Sequence, residues 1–213
     1  MNLRFPKVYP ILDSAVVPTA GRDEYLRKLG KSLTAAGVTL MEYRNKTGSD
    51  RTVLADAAIL REAMPGPIIK LILDDRCHLV EETGFDGVHV DAGDVTPLEA
   101  RKLLGSERIV GTFGGSENLL PGVIDQPADY FSIGPIGPTT TKQTSKAPIG
   151  PEGVRRLREA AGADIVLVAA GGVTLESARR VLAAGATTVA VAAAIFRTAD
   201  PAVEFRRWME VLC

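Results

Sequence analysis

The loop at residues 132–150, SIGPIGPTTTKQTSKAPIG, concentrates hydroxyl and ammonium groups in one short stretch. Thr139, Thr140 and Thr141 stand in a row, Lys142 follows directly, and Gly-Pro pairs flank the segment. Threonine hydroxyls donate hydrogen bonds and lysine adds a positive charge, so that together they suit a phosphate or a similar anion. The sequence therefore predicts an anion-binding loop.

Two aspartates stand where predicted strands end. Asp75 lies two residues after the end of one apolar strand, and Asp94 lies shortly after the next. Carboxylate oxygens are ligands that Mg²⁺ accepts, together with water and the phosphate oxygens of a substrate. A single aspartate in such a place more often caps a helix. However, Arg44, Lys46 and Lys142 are expected on the same rim, and cations that alternate with carboxylates suit a metal-bound diphosphate.

Small residues follow the last two predicted strands. Gly171 and Gly172 come after one, and Ala192 and Ala193 come after the other. A missing or minimal side chain lets backbone N–H groups and a helix N-terminus approach an anion, which predicts a phosphate cradle. A tight turn is the alternative explanation for a glycine pair.

These residues need a scaffold that gathers strand ends on one face. Eight short runs rich in Val, Ile and Leu recur along the chain, and most precede a segment with helical spacing. A doubly wound open sheet also alternates strands and helices, but it usually has a G-x-G-x-x-G motif after its first strand. The sequence instead predicts an α/β protein, a (β/α)₈ TIM barrel forming a single domain over residues 1–213. The predicted strands lie at 8–12, 38–43, 68–73, 86–90, 108–112, 129–133, 165–169 and 188–192.

Three helices carry specific sequence signals. Leucines and an alanine recur at helical spacing before Gly37, which predicts a left-handed C-terminal residue. Thr96 and Glu99 form a predicted capping box, and Asp200 opens the last helix. The apolar residues of that last helix are expected to pack on the barrel; they are Val203, Trp208, Met209 and Leu212.

The composition excludes several other classes of protein. The chain has 213 residues, a net charge of −1 and no basic excess of the kind that nucleic-acid binding usually requires. Its two cysteines form no CxxC pair, and no apolar run approaches the ~18 residues of a membrane span. The N-terminus lacks the apolar core of a signal peptide. We therefore expect a cytoplasmic protein that binds small molecules, with no nucleic-acid or membrane partner; a homo-oligomer stays open.

Taken together, the motifs resemble those of the thiamine phosphate synthase family over nearly the full length of the chain. The most specific is Gly-Pro-x-x-x-Thr-x-Thr-Lys, which is complete at 134–142. The other matching segments are EYRNK (42–46), LDDR (73–76), DGVHV with Asp94 following (86–94), AAGGVT (169–174) and VAVAAAIF (189–196). The resemblance implies a transferase that uses Mg²⁺ to join hydroxymethylpyrimidine diphosphate to hydroxyethylthiazole phosphate, giving thiamine phosphate and pyrophosphate.

The resemblance also implies a role for each matching residue. The three threonines of the loop would hold the thiazole phosphate, and Asp75 and Asp94 would hold the metal ion. The departing diphosphate would be stabilised by Arg44, Lys46 and Lys142.

Several positions depart from the family pattern. Glu42 stands where the family usually has glutamine and Asp74 where it usually has asparagine, and both are expected near the pyrimidine. Phe113 and Ala193 replace serines that are expected to contact the pyrimidine and the thiazole phosphate, respectively. Each exchange of an amide for a carboxylate removes a hydrogen-bond donor and adds a charge that repels a diphosphate.

These departures keep other functions open. The main alternative is a barrel that binds a thiazole phosphate or thiamine phosphate without turnover, since a fold alone does not establish activity. An aminothiazole tautomerase would use a histidine after the fifth strand, where this chain has Gly115. A Schiff-base aldolase would need a lysine near the carboxyl end of a strand, whereas Lys70 begins one.

Overall fold

The computed structural model describes residues 4–91, 93–115, 120–139 and 146–213, and its strands close into a parallel barrel. The strands are β1 (Val8–Asp13), β2 (Leu40–Arg44), β3 (Lys70–Asp74), β4 (Gly87–Val90), β5 (Ile109–Gly115), β6 (Tyr130–Ile133), β7 (Leu167–Ala169) and β8 (Thr188–Val191). Each strand pairs with the next along the chain, and β8 pairs with β1. This closure confirms the predicted (β/α)₈ barrel, because a doubly wound sheet would leave two open edges.

Helices alternate with the strands around the outside of the barrel. They are α1 (Arg22–Ala35), α2 (Asp50–Ala63), α3 (Val80–Thr83), α4 (Pro97–Leu104), α5 (Leu120–Val123), α6 (Gly150–Ala161), α7 (Leu175–Ala183), α8 (Ala193–Phe196) and α9 (Pro201–Leu212). Short 3₁₀ turns lie at Ser14–Val16 and Cys77–Leu79. Within the described part of the chain, no helix combines the length and the apolar character that crossing a membrane requires.

Alternate residues of each strand face the barrel axis, and the others face the helices. One buried cluster fills the interior of the barrel; it consists of Tyr9, Leu40, Ile72, Ile109, Tyr130, Val168 and Ala190. A larger cluster lies between the strands and the helices and includes Leu26 and Leu33 of α1 and Trp208 of α9. The two clusters together fix which strand residues point to the barrel axis. Only side chains that point to the axis can line a site inside the barrel.

All three predicted helix signals are confirmed, and one detail is wrong. Gly37 follows the end of α1 with a left-handed φ of +88°. The Thr96 hydroxyl accepts a hydrogen bond from Glu99 N–H, and the Glu99 carboxylate accepts one from Thr96 N–H, which completes the capping box. Asp200 caps α9 as predicted. Val203, however, is 52% exposed and does not pack on the barrel, because the helix turns Ala202 and Phe205 inward instead.

Three repeated contacts fasten the amino-terminal end of the barrel. In each, an arginine of a helix binds a side chain placed just before an even-numbered strand. That side chain accepts a hydrogen bond from a backbone N–H at the start of the preceding strand. These arginine staples are Arg61–Asp86–Leu71, Arg101–Asp129–Val110 and Arg158–Thr187–Leu167.

Candidate active site

A cavity of about 670 Å³ opens at the carboxyl end of the barrel strands. Most of the residues predicted from the sequence line this cavity: Glu42, Arg44, Lys46, Asp74, Asp94, Phe113, Thr139, Gly171, Gly172, Ala192 and Ala193. Asp75 borders it through its contact with Lys46. The predicted residues Thr140, Thr141 and Lys142 lie outside the described part of the chain. The barrel thus gathers residues that are far apart in sequence.

Strand β2 delivers two of these side chains to the barrel axis. Glu42 and Arg44 are two residues apart and therefore face the same side of the sheet. Glu42 is only 4% exposed, whereas Arg44 reaches up to the rim. The Arg44 guanidinium pairs with Asp13 at the end of β1, and its Nε lies 3.4 Å from Asp74 Oδ2. Carboxylates on both neighbouring strands thus hold Arg44 in place.

Lys46 stands among three carboxylates. Its Nζ pairs with Asp75, lies 3.2 Å from Asp74 Oδ2 and lies 3.9 Å from Asp91 Oδ2. Burial disfavours the charged form of this amine, but the attraction of Asp74 and Asp75 outweighs it and raises the pKa of Lys46. Lys46 therefore remains an ammonium ion at neutral pH and occupies the centre of an acidic cluster.

The acidic cluster has the donor set that a hard divalent cation prefers. Asp74, Asp75 and Asp91 each offer one carboxylate oxygen, and these oxygens lie within 4.8 Å of one another. Among the described residues, Asp75 Oδ1 and Asp74 Oδ2 are buried and find no hydrogen-bond donor. The two cations near Asp74 Oδ2 attract it electrostatically but lack hydrogen-bond geometry. All-oxygen ligands with unsatisfied lone pairs fit Mg²⁺.

Asp94, predicted as a metal ligand together with Asp75, has a different set of contacts. Its Oδ2 accepts a hydrogen bond from Asp91 N–H at 2.8 Å, which places the Asp91 carboxylate in the acidic cluster. Asp94 also contacts Asp75, and after burial this contact is the second cause that raises the pKa of the Asp75 carboxyl. The geometry thus adds Asp74 and Asp91 as candidate ligands beside the predicted pair.

Two buried carboxyls of the cavity resist ionisation. Burial, and then repulsion by Asp75, raises the pKa of Asp74 from 3.8 to about 7. Burial, and then repulsion by Asp74 and Asp91, raises the pKa of Glu42 well above its usual range. These causes favour the neutral form of the Glu42 carboxyl, and in that form it can donate a hydrogen bond as well as accept one.

The predicted phosphate cradle is a close contact between two loops. Gly172 has φ +67°, and a Cβ there would lie 2.4 Å from the carbonyl oxygens of Gly137 and Pro138. Gly171 accepts a hydrogen bond from Gly137 N–H at 3.0 Å, which fastens the loop after β7 to the loop after β6. Thr174 then caps α7, so the positive end of this helix faces the cavity. The glycines here permit both a turn and a close approach of backbone.

A sequence profile of the thiamine monophosphate synthase family matches residues 8–195. The chain belongs to this family. A thiamine-phosphate synthase of Koribacter versatilis is 37% identical over 211 residues, which cover 99% of this chain and 98% of that protein. A thiamine-phosphate synthase of Agrobacterium fabrum is 35% identical over 178 residues, covering 82% and 81% of the two chains. The solved structure of thiamine phosphate pyrophosphorylase from Pyrococcus furiosus superposes with a TM-score of 0.80 at 26% identity, and the match covers 97% of each chain.

Phe113, one of the departures from the pattern of the thiamine monophosphate synthase family, lines the cavity from β5. Phe113 lies inside β5 rather than after it, because the strand continues to Gly115 past a shift in register. Its ring lines the cavity with Lys146 Nζ 4.4 Å from the ring centroid. Ser132 is the β6 partner of Phe113 and lines the same cavity. A hydroxyl is therefore present beside the position where the family usually has one.

Sequence reasoning missed other residues of the cavity in this family member. His89 lines the cavity, and its Nδ1 lies 3.1 Å from the Tyr130 hydroxyl. Tyr9 of β1 also lines the cavity. Both lie inside strands, and the usable signal was the period of two that turns alternate strand residues toward the axis. Asp91 also follows a predicted strand, but nothing in its spacing marked it as a candidate ligand beside Asp94.

Proposed function

We propose that this chain is a magnesium-dependent thiamine phosphate synthase. It would join hydroxymethylpyrimidine diphosphate to hydroxyethylthiazole phosphate and release pyrophosphate. Membership of the family and the names of its full-length relatives support the reaction. The observation that carries the proposal is the composition of the cavity. An acidic cluster with Arg44 and Lys46 lines one part of it, and the glycines of the candidate phosphate cradle, Gly171 and Gly172, line another.

The charges of the site favour a divalent cation. Four aspartates, Asp74, Asp75, Asp91 and Asp94, stand near Arg44 and Lys46, whereas Lys146, a further cation of the described lining, lies over the Phe113 ring. A diphosphate brings further negative charge, and carboxylates without a counter-ion would repel it. Asp75, Asp91 and Asp94 would hold Mg²⁺, which when bound would supply positive charge to the departing diphosphate.

The protein contributes mainly position and charge to the reaction. The bond between the pyrimidine methylene carbon and the diphosphate oxygen breaks, and its electron pair leaves with pyrophosphate. The lone pair of the thiazole nitrogen then forms the new bond to that carbon, so no proton transfer is required. Lys46 and Arg44 stabilise the charge that develops on the leaving oxygen. Because Asp13 and the acidic cluster hold both cations before substrate arrives, little reorganisation accompanies the step.

The opposite side of the cavity would hold the second substrate. The N-terminus of α7 and the backbone at Gly171 and Gly172 suit a monophosphate, and Thr139 adds a hydroxyl nearby. In its neutral form, which burial favours, Glu42 would offer both a donor and an acceptor to a pyrimidine ring, as a glutamine would. With this arrangement the thiazole and the pyrimidine would bind within one cavity.

The test is to incubate the protein with both substrates and Mg²⁺ and to measure thiamine phosphate by fluorescence after oxidation. We expect product with Mg²⁺ and none in excess chelator. Asp75→Asn should abolish most turnover, whereas Asp23→Asn, an exposed aspartate of α1, should leave it unchanged. Tight binding of thiazole phosphate without any product would instead identify a binding protein and reject the proposed catalysis.

A further inference from the structure

Arg76 joins the two loops that carry Lys46 and Asp75. It directly follows Asp75, and its guanidinium is only 20% exposed. One nitrogen, Nη1, pairs with Asp50 at the start of α2. The other, Nη2, donates to the backbone carbonyl oxygens of Gly48 and, at 3.3 Å, of Asn45. All three partners belong to the segment 45–50, so this one side chain fixes the loop after β2 to the turn after β3.

The segment 45–50 is also held from its buried side. Asn45 is 5% exposed; its Oδ1 accepts from Gly48 N–H at 2.8 Å, and its Nδ2 donates to the Tyr43 hydroxyl at 3.0 Å. Lys46 lies between Asn45 and Gly48, so its backbone is fixed from both directions. The contacts of Arg76 therefore help to determine where the Lys46 ammonium group stands relative to the three carboxylates.

The turn after β3 has a constrained backbone. Asp75 has φ +68°, and within the described ranges it is the only residue other than glycine with positive φ. Its N–H donates to the carbonyl oxygen of His89 at 2.8 Å, and its own carbonyl accepts from Cys77 N–H at 2.7 Å. A strained conformation of this kind persists only where its surroundings hold it. Arg76, the next residue, ties this turn to the loop of Lys46.

We propose that Arg76 is a positioning residue that sets the geometry of the Lys46–Asp75 pair for diphosphate departure. This inference rests on the proposed function. Arginine suits the role because its planar fork can bind a carboxylate and two carbonyls at once, which a lysine ammonium cannot reproduce in the same geometry.

Arg101 offers a matched control for the purely structural contribution of such a contact. It is also 20% exposed, binds the carboxylate of Asp129, and donates to the carbonyl oxygens of Gly105, Arg108 and Pro127. Its contacts lie at the amino-terminal end of the barrel, away from the cavity. Loss of Arg101 should therefore affect stability in the same way as loss of Arg76 without moving Lys46.

The experiment compares Arg76→Gln with Arg101→Gln in amide hydrogen exchange and steady-state kinetics. For Arg76→Gln we expect faster exchange in segment 45–50 and a kcat lower by ~10- to 100-fold, with KM for the thiazole phosphate unchanged. Arg101→Gln should lower Tm but leave amide exchange in segment 45–50 and kcat as they are in the parent protein. Arg76→Lys should recover only part of kcat, because one ammonium group cannot hold all three partners.

Two results would overturn the proposal. One is unchanged exchange in segment 45–50 of Arg76→Gln; the other is an equal loss of kcat in Arg101→Gln, which would mean a general loss of stability. If the parent shows no turnover, the proposed function fails, and the exchange data still decide whether Arg76 fixes the loop. If Arg76→Gln does not fold, Asp50→Asn removes the same ion pair at a half-exposed residue and should show the same effects in smaller measure.

Discussion

Replacing Asp74 by asparagine should stabilise the fold, and increasingly so as pH rises. Burial, and then the charge of Asp75, raises the pKa of Asp74 from 3.8 to about 7, which corresponds to about 4 kcal/mol. In the unfolded chain this carboxyl has its usual pKa, so the native state binds a proton more tightly than the unfolded state does. The contribution of Asp74 to stability is therefore greatest below about pH 4 and is lost as pH rises through the folded pKa near 7. Asparagine has nearly the same shape and does not titrate.

The assay is urea unfolding of the parent and of Asp74→Asn in the presence of a chelator. The difference between their free energies of unfolding should grow by about 4 kcal/mol between about pH 4 and about pH 8. The same change should lower the pKa of Glu42, because repulsion by Asp74 is, after burial, the next cause that raises it.

Asp86 supplies a control with the opposite sign. Burial opposes its ionisation, but hydrogen bonds from Leu71 N–H, Lys70 and Arg61 outweigh burial and lower the pKa of Asp86. Its stabilising effect is therefore present above the unfolded pKa and is lost as pH falls. Asp86→Asn should destabilise the protein at neutral pH and do so less in acid. If Asp74→Asn shows no gain, or the same gain at every pH, Arg44 and Lys46 compensate the ionised Asp74 fully and the reasoning is wrong.

Three further predictions concern turnover and substrate binding. Asp75→Asn should lower kcat by at least about 100-fold in the fluorescence assay, and an undiminished rate would reject its role beside Lys46. Glu42→Gln combined with Asp74→Asn should relieve repulsion of the diphosphate, worth on the order of 3 kcal/mol for one charge ~6 Å away at an effective dielectric of about 20. The kcat of the parent should therefore fall above neutral pH, whereas the kcat of the double variant should not change with pH. A kcat that is independent of pH in both proteins would contradict this. Gly172→Ala should lower Tm and raise KM for the thiazole phosphate, because its Cβ would lie 2.4 Å from two carbonyl oxygens; calorimetric titration with thiazole phosphate measures the binding directly.

The sequence predicted the architecture well because the barrel depends on local patterns that repeat. Each predicted strand lies within two or three residues of an observed one, since runs of β-branched residues and capping signals mark both ends. The end of β5 was missed because a shift in register between Phe113 and Gly115 prolongs the strand through two glycines, which carry no apolar signal. Val203 was misplaced because helical spacing alone does not say which of two adjacent faces the cap at Asp200 turns inward.

The sequence predicted which residues line the cavity better than it predicted which of them contact one another. Parallel strands bring their carboxyl ends together, so residues such as Arg44 and Asp74 could be placed on one rim from sequence alone. The place of Asp91 in the acidic cluster was not predictable, because it depends on a hydrogen bond within one turn, from Asp91 N–H to the Asp94 carboxylate. The role of Arg76 was hidden for a similar reason, since its partners lie ~30 residues away in sequence and meet it only across two loops.

The three arginine staples at the amino-terminal end affect how the sequence of this barrel can change during evolution. Each staple joins one neighbouring pair of strands, β3 with β4, β5 with β6, and β7 with β8. Each pair thus carries its own fastener at the end remote from the cavity. Residues at the rim, such as Glu42 or Asp74, can be exchanged without disturbing those fasteners. Chimeras between related barrels should consequently tolerate a junction between two stapled pairs better than a junction inside one.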